Sequence, residues 1–148
     1  MPIFSYASPD IEISGAIINV NMWPDFAVIK NLTDQKLTVP NKSIIGLIDT
    51  GASCTAFDSI LAGELQLVIR DKQPVLTPSG QSEQYLYDIV ITLPNQNLGI
   101  SLQAFGADLS KQPYDILLGR DVLASCTLIY NGWDNSYDLH FHQDKVKK

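Results

Sequence analysis

Apolar positions along this chain recur mostly with a period of two, the spacing of a half-buried strand. Ile11 to Trp23 alternates well enough to predict one long strand, with Gly15 as a bulge. Trp23-Pro24-Asp25 then reads as a turn. Phe26 to Leu32 reads as the next strand, so a hairpin is expected. Leu37-Thr38-Val39 is a short apolar piece ended by Pro40, and Ser43 to Asp49 reads as a fully buried strand. The pattern changes at Asp58 to Leu65, where Ile60, Leu61 and Glu64 have helical spacing and Asp58 can cap the helix. Gln66 to Arg70 and Pro74 to Thr77 flank a turn at Asp71-Lys72. A tight turn at Pro78-Ser79-Gly80-Gln81 follows, and then a strand over Tyr85 to Leu93. Past a turn at Pro94 to Gly99, strands are expected at Ile100 to Phe105 and Ile116 to Leu118, and a short helix at Arg120 to Ser125. A last hairpin, Thr127 to Tyr130 with Ser136 to Phe141, is built around Asn131-Gly132. The grammar is mainly β with one or two short helices.

One stretch breaks the apolar pattern in a chemically informative way. Ile44-Ile45-Gly46-Leu47-Ile48 runs directly into Asp49-Thr50-Gly51-Ala52-Ser53. An ionised carboxylate at the end of a buried strand is costly unless it recruits hydrogen bonds or shifts its pKa. Thr50 offers a hydroxyl and Gly51 a turn with a free backbone N–H, so the means to hold the carboxylate are adjacent. Asp49 is therefore a candidate catalytic acid or base. The bland alternative is a strand ending in an Asx-type turn.

A second stretch, Tyr114-Asp115-Ile116-Leu117-Leu118-Gly119-Arg120-Asp121-Val122-Leu123, decides between them. Apolar-apolar-Asp-Thr-Gly-Ala followed downstream by Ile-Leu-Leu-Gly-Arg-Asp-x-Leu resembles the retropepsin-like aspartic proteases, over roughly residues 43 to 125. The resemblance implies a closed, mainly β acid-protease barrel that acts as an endopeptidase with no cofactor. Such chemistry needs two carboxylates sharing a water, one ionised as base and one protonated to polarise the carbonyl. This chain has a single Asp-Thr-Gly, so the resemblance implies a homodimer that contributes one Asp49 from each copy. Thr50 would brace the two loops across the dimer. Gly51, with Ala52 beside it, would present backbone groups to the dyad or the peptide. Leu118, Gly119, Arg120 and Asp121 would form the structural second motif, Gly119 letting it pass close to the Asp49 loop. Thr77, Pro78, Ser79, Gly80 and Gln81 resemble the tip of a substrate-covering flap, though with Pro78 and one glycine where a run of glycines is usual. The substrate would be a peptide bound as an extended strand in an apolar cleft.

Two positions depart from the family's pattern. Ser53 stands where many retroviral relatives carry an acid to pair with the second-motif arginine, so Arg120 needs another partner, Asp58 or Asp121. Ala52 follows Gly51 where some aspartic proteases carry a hydroxyl donor, and on that ground activity is expected at mildly acidic to near-neutral pH. The same fold could also serve as an inactive peptide-binding or dimerisation module.

Composition narrows the field further. A chain of 148 residues is expected to form a single domain over 1–148. A net charge of -6 argues against nucleic acid as a partner, since phosphate binding needs clustered cations. Lys145, Lys147 and Lys148 form the only basic cluster and read as a solvated tail. No apolar run reaches membrane-spanning length and no signal core opens the chain, so a cytoplasmic, membrane-free protein is expected. Cys54 and Cys126 read as small buried apolar residues, Cys54 lacking a histidine partner for thiol chemistry. His140 and His142 share one face of a strand, but no third ligand is evident and no metal is expected. Trp23, Trp133 and the tyrosines are expected in the core or at an interface.

Overall fold

The computed structural model describes residues 3–78, 80–93 and 98–142. Ten strands and four short helices follow one another as β1 (Ile3–Ala7), α1 (Ile11–Ser14), β2 (Ala16–Pro24), α2 (Phe26–Asp34), β3 (Lys42–Ile48), β4 (Ala56–Asp58), α3 (Ile60–Glu64), β5 (Ile69–Thr77), β6 (Gly80–Thr92), β7 (Gly99–Ala107), β8 (Ile116–Leu118), α4 (Arg120–Leu123), β9 (Cys126–Asn131) and β10 (Ser136–Phe141). The main sheet runs β2-β3-β8-β4-β7-β6-β5, and β2 also pairs with β6. That extra pairing, Asn21↔Thr92 to Pro24↔Ile89, closes a ring of β2, β3, β8, β4, β7 and β6 and leaves β5 outside it. A separate sheet orders β1-β10-β9.

The barrel closes around the alternation read in the sequence. Along β2, Ile18, Val20 and Met22 are buried, and along β3, Ile44 and Ile48. Phe57, Ile89, Ile91, Ala104, Ile116 and Leu118 complete the interior from the other strands. Tyr137, Leu139 and Phe141, alternate residues of β10, join the same core from the small sheet. β8 lies between β3, which it pairs in parallel, and β4, which it pairs antiparallel.

Among the described residues four helices, not one or two, decorate this barrel, and two of them replace expected strands. Residues 11–14 form α1, so the long strand expected from Ile11 begins only at Ala16. Ile11 is 1% exposed and Ile13 80%, which places the two alternate residues in opposite environments. Gly15, at φ 75°, turns the chain out of α1 into β2 without acting as a bulge. Phe26 to Leu32 is helical within α2, which starts after Asp25 with no side-chain cap bond and carries a Lys30–Asp34 pair at 3.2 Å one turn apart. Its apolar residues 26, 29 and 32 have helical spacing, which the β-branched content of Val28 and Ile29 masked. The expected turn at Trp23-Pro24 is the end of β2, where the indole N–H of Trp23 donates to Thr92 Oγ1 at 3.0 Å.

Smaller expectations are corrected as well. Residues 37–39 form no strand. Asp58 closes β4 and caps nothing, with α3 starting two residues later. No turn forms at Asp71-Lys72, because β5 runs through it with an irregularity between Ile69 and Asp71 that absorbs the kink. The turn expected at 94–97, and the basic tail, lie outside the described residues. The last hairpin forms as read, in the register Ser136↔Asn131 to Phe141↔Cys126.

Candidate active site

Asp49 follows β3 directly, and its backbone N–H still bonds across to the Leu118 carbonyl at 2.9 Å. Gly51 donates its N–H to Asp49 Oδ1 at 2.8 Å, and Ala52 donates to the Asp49 carbonyl at 3.3 Å. The loop is therefore an Asx-type turn that points one carboxylate oxygen at a backbone donor. Asp49 is half-buried, while Thr50, Gly51 and Ser53 are exposed.

The second sequence motif clamps this loop from behind. Arg120 donates its N–H to Ala52 O at 2.8 Å, and its guanidinium Nη1 to Thr50 O at 2.9 Å. Asp121 accepts the Thr55 hydroxyl at 2.7 Å, the Thr55 N–H at 2.9 Å and the Val122 N–H at 2.9 Å. Thr55 Oγ1 accepts in turn from the Gly119 N–H at 3.2 Å. Gly119 packs so tightly that an added Cβ would lie 2.7 Å from the Cys54 carbonyl carbon and 2.9 Å from Ala52 O. The partner expected for Arg120 was a carboxylate, Asp58 or Asp121. Among the described residues Arg120 forms no ion pair, and its guanidinium is taken up by the Thr50 carbonyl. Thr55, fully buried, is the site residue sequence reading missed. Its signal was a hydroxyl at a strand-like position close after Asp49, facing a second-motif carboxylate.

An apolar groove runs along the same side of β3. Ile44 and Ile48 face the core, so Ile45 and Leu47 face outward, and carrying the alternation one step further turns Asp49 to their face. Pro9, Ile13, Ser14, Ile17, Ile45, Leu47, Gln112, Pro113 and Tyr114 line this groove, with a volume of about 520 Å³. The register Ala16↔Ile48 brings Gly15 and α1 beside the Asp49 loop. Gly15, at φ 75°, lies against Leu47, and a Cβ there would sit 2.6 Å from the end of that side chain, Cδ1.

The flap-like hairpin is present as β5 and β6, closing with the pair Thr77↔Gly80. Gly80 takes φ 123°, Pro78 and Gln81 are exposed, and Ser79 lies outside the described residues. Cys54 is exposed, which corrects the expectation of a buried thiol. It occupies the outward bend between the Asp49 turn and Thr55. Cys126 is half-buried, and burial pushes its thiol up to about 11. Trp133 is 96% exposed and forms no part of the core. His140 and His142 stack with ring centres 4.4 Å apart, and His142 Nε2 meets Thr127 Oγ1 at 2.7 Å. Among the described residues no group of three His, Cys, Asp or Glu could hold a metal, and no helix is long and apolar enough to cross a membrane.

Solved structures place the fold. A retropepsin-like aspartic protease from Rickettsia conorii matches at TM-score 0.60 and 16% identity, over 95% of this chain and 91% of that one. The retroviral protease-like domain of Ddi1 from Leishmania major matches at TM-score 0.47 and 12% identity, over 89% and 98%. The EIAV protease, solved with the inhibitor HBY-793, matches at TM-score 0.43 and 14% identity, over 74% and 85%. No family model and no curated protein matches the chain. The chain has the retropepsin-like fold, a mainly β barrel closed by β2 and β6.

Proposed function

We propose that this chain is an aspartic endopeptidase whose active form is a homodimer, with one Asp49 from each copy. The observation that carries the reading is the placement of Asp49. Its carboxylate stands in a turn clamped by the second motif, directly after the strand whose Ile45 and Leu47 line an apolar groove. In the dimer, one carboxylate is ionised and draws a proton from water as the water oxygen attacks the peptide carbonyl. The other, protonated, hydrogen-bonds the carbonyl oxygen and hands over its proton as the tetrahedral intermediate forms. Two carboxyls so close cannot both ionise, which supplies the acid and the base from identical residues. Collapse then expels the amine, which takes up a proton from the dyad. Thr50 and Gly51, exposed beside Asp49, would meet the second copy and the peptide backbone. The β5–β6 hairpin is the element that would cover the substrate. An extended peptide with apolar side chains fits the groove. The free thiols of Cys54 and Cys126 suit a reducing, cytoplasmic setting.

The test pairs the wild-type chain with Asp49→Asn. The amide keeps an oxygen for the Gly51 N–H, so the loop geometry is preserved while the base is lost. Sedimentation reads the oligomeric state, and digestion of a mixed peptide library from pH 3 to 8 reads activity. Cleavage by a wild-type dimer that disappears in a folded, dimeric Asp49→Asn is the expected result. Equal cleavage by both would end the role assigned to Asp49. A dimer that binds peptides and cuts none would make the chain a peptide-binding module.

A further inference from the structure

The four-residue helix α1 is too short to hold itself together, since a single turn fixes more backbone than its hydrogen bonds repay. It is held from the far end of the chain. Its first free donor, the Ile11 N–H, bonds to Asn135 Oδ1 at 2.9 Å, a capping bond supplied by a residue of the β9–β10 turn. The Tyr130 hydroxyl donates to Ile11 O at 3.1 Å, and Ser8 N–H donates to Asn135 O at 2.8 Å. Ser8 Oγ, itself buried, donates to Gly15 O at 2.7 Å and closes the other end. Asn135 adopts φ 56°, a left-handed conformation that asparagine tolerates better than most residues.

All of this machinery presents one apolar side chain to solvent. Ile11 is packed in the core, whereas Ile13 stands exposed at the rim of the groove that also contains Leu47 and Tyr114. A scaffold of long-range hydrogen bonds around an exposed isoleucine makes sense when that isoleucine meets a ligand. We propose that Ile13 is a specificity-determining residue, contacting an apolar side chain of the extended peptide. Asn135 and Tyr130 are positioning residues that set the height of α1 over the groove. The inference rests on the protease reading for its substrate and deepens it. The C-terminal hairpin thereby acts on selectivity without touching the peptide.

The test uses full-length chains and peptides that differ at one position only, carrying Leu, Ser or Lys. Wild type is expected to prefer Leu. Ile13→Glu should reduce the Leu-to-Lys ratio of kcat/KM by roughly tenfold or more, the scale on which a single apolar contact discriminates. Asn135→Ala should shift the ratio in the same direction by a smaller factor, and Asn135→Asp, which keeps an acceptor for Ile11 N–H, should restore it. A purely structural role would slow cleavage of all three peptides alike and leave the ratio unchanged. Parallel binding titrations in the Asp49→Asn background separate the two readings. If wild type cleaves and the ratio ignores Ile13, the inference fails and the protease stands. If nothing is cleaved but binding preference follows Ile13, the protease fails and the groove assignment stands. If no chain cuts or binds any peptide, both are overturned.

Discussion

Replacing Gly119 and Gly63 by alanine adds the same methyl group at two places and should move stability in opposite directions. At Gly119 the new Cβ would meet the carbonyl carbon and oxygen of Cys54 at 2.7 and 2.8 Å, and Ala52 O at 2.9 Å. All three are backbone atoms, so no side chain can swing away. Relief requires the second motif to withdraw from the Asp49 loop, which strains the bonds from Arg120 N–H to Ala52 O and from Gly119 N–H to Thr55 Oγ1. Overpacking of this kind costs about 1–3 kcal/mol, and the bonds at risk place this case near the upper end. At about 2–4 °C per kcal/mol for a chain of this size, the midpoint should fall by roughly 6–12 °C. Gly63 lies in α3, exposed, with nothing within 4 Å of an added Cβ. There alanine should stabilise by about 0.4–1 kcal/mol through the entropy of the unfolded chain and better helix propensity. Thermal melts followed by circular dichroism, at one fixed protein concentration because association shifts the midpoint, would read both. A Gly119→Ala chain as stable as wild type would refute the clamp, since the methyl could then be accommodated without moving the motif. Urea midpoints that shift with unchanged slopes would show that both substitutions change stability without changing the surface exposed on unfolding.

Thr55→Val, isosteric but lacking the hydroxyl, strands the Gly119 N–H and removes one of the two bonds to Asp121 Oδ1, which keeps the Val122 N–H; a loss of about 2–3 kcal/mol is expected, against about 1 kcal/mol for Thr55→Ser, and equal losses would remove the hydroxyl from the argument. Burial pushes Tyr6 up to about 12, against an unfolded value of 10.0. A raised folded pKa contributes stability that is present below the unfolded value and lost as pH rises through the folded one. Urea stability should therefore decline between about pH 10 and 12, and Tyr6→Phe should flatten that slope. Native Cys54 should react with a thiol reagent much faster than Cys126, whose thiol is half-buried and raised to about 11; a comparable rate that survives Cys54→Ser would contradict the burial.

Where the sequence was legible, a strand's two faces met different surroundings. Ile116 to Leu118 and the final hairpin sit where they were read, and Ser43 to Asp49 supplies the expected strand, though only one of its faces meets the core and Ile45 is 42% exposed where full burial was expected. Reading failed where a short element is held by distant residues. Nothing in Ile11-Glu12-Ile13-Ser14 calls for a helix; its capping acceptor is Asn135, at the other end of the chain. α2 was hidden for another reason: none of its residues is buried, so β-branched content spoke louder than the spacing of 26, 29 and 32. At the site, Asp49 and the Gly-Arg-Asp motif were visible from their order along the chain. The partner of Arg120 was not, because a backbone carbonyl leaves no trace in residue identity. Thr55 offered only a hydroxyl close after Asp49, and its partner emerges when the fold brings Asp121 alongside it.

The position of β8 has a consequence for how the chain can be made. Both of its neighbours, β3 and β4, are synthesised long before it, and each waits for it with an unsatisfied edge. As residues leave the ribosome, the β5–β6 hairpin and the β2–β3 pair joined through α2 can assemble before β8, but the wall between β3 and β4 stays open until Ile116–Leu118 emerges. The same three residues carry the second motif to the Asp49 loop. Completion of the barrel and assembly of the site are thus one late event, and a nascent chain halted before that point would carry an open apolar seam and a loose Asp49 loop.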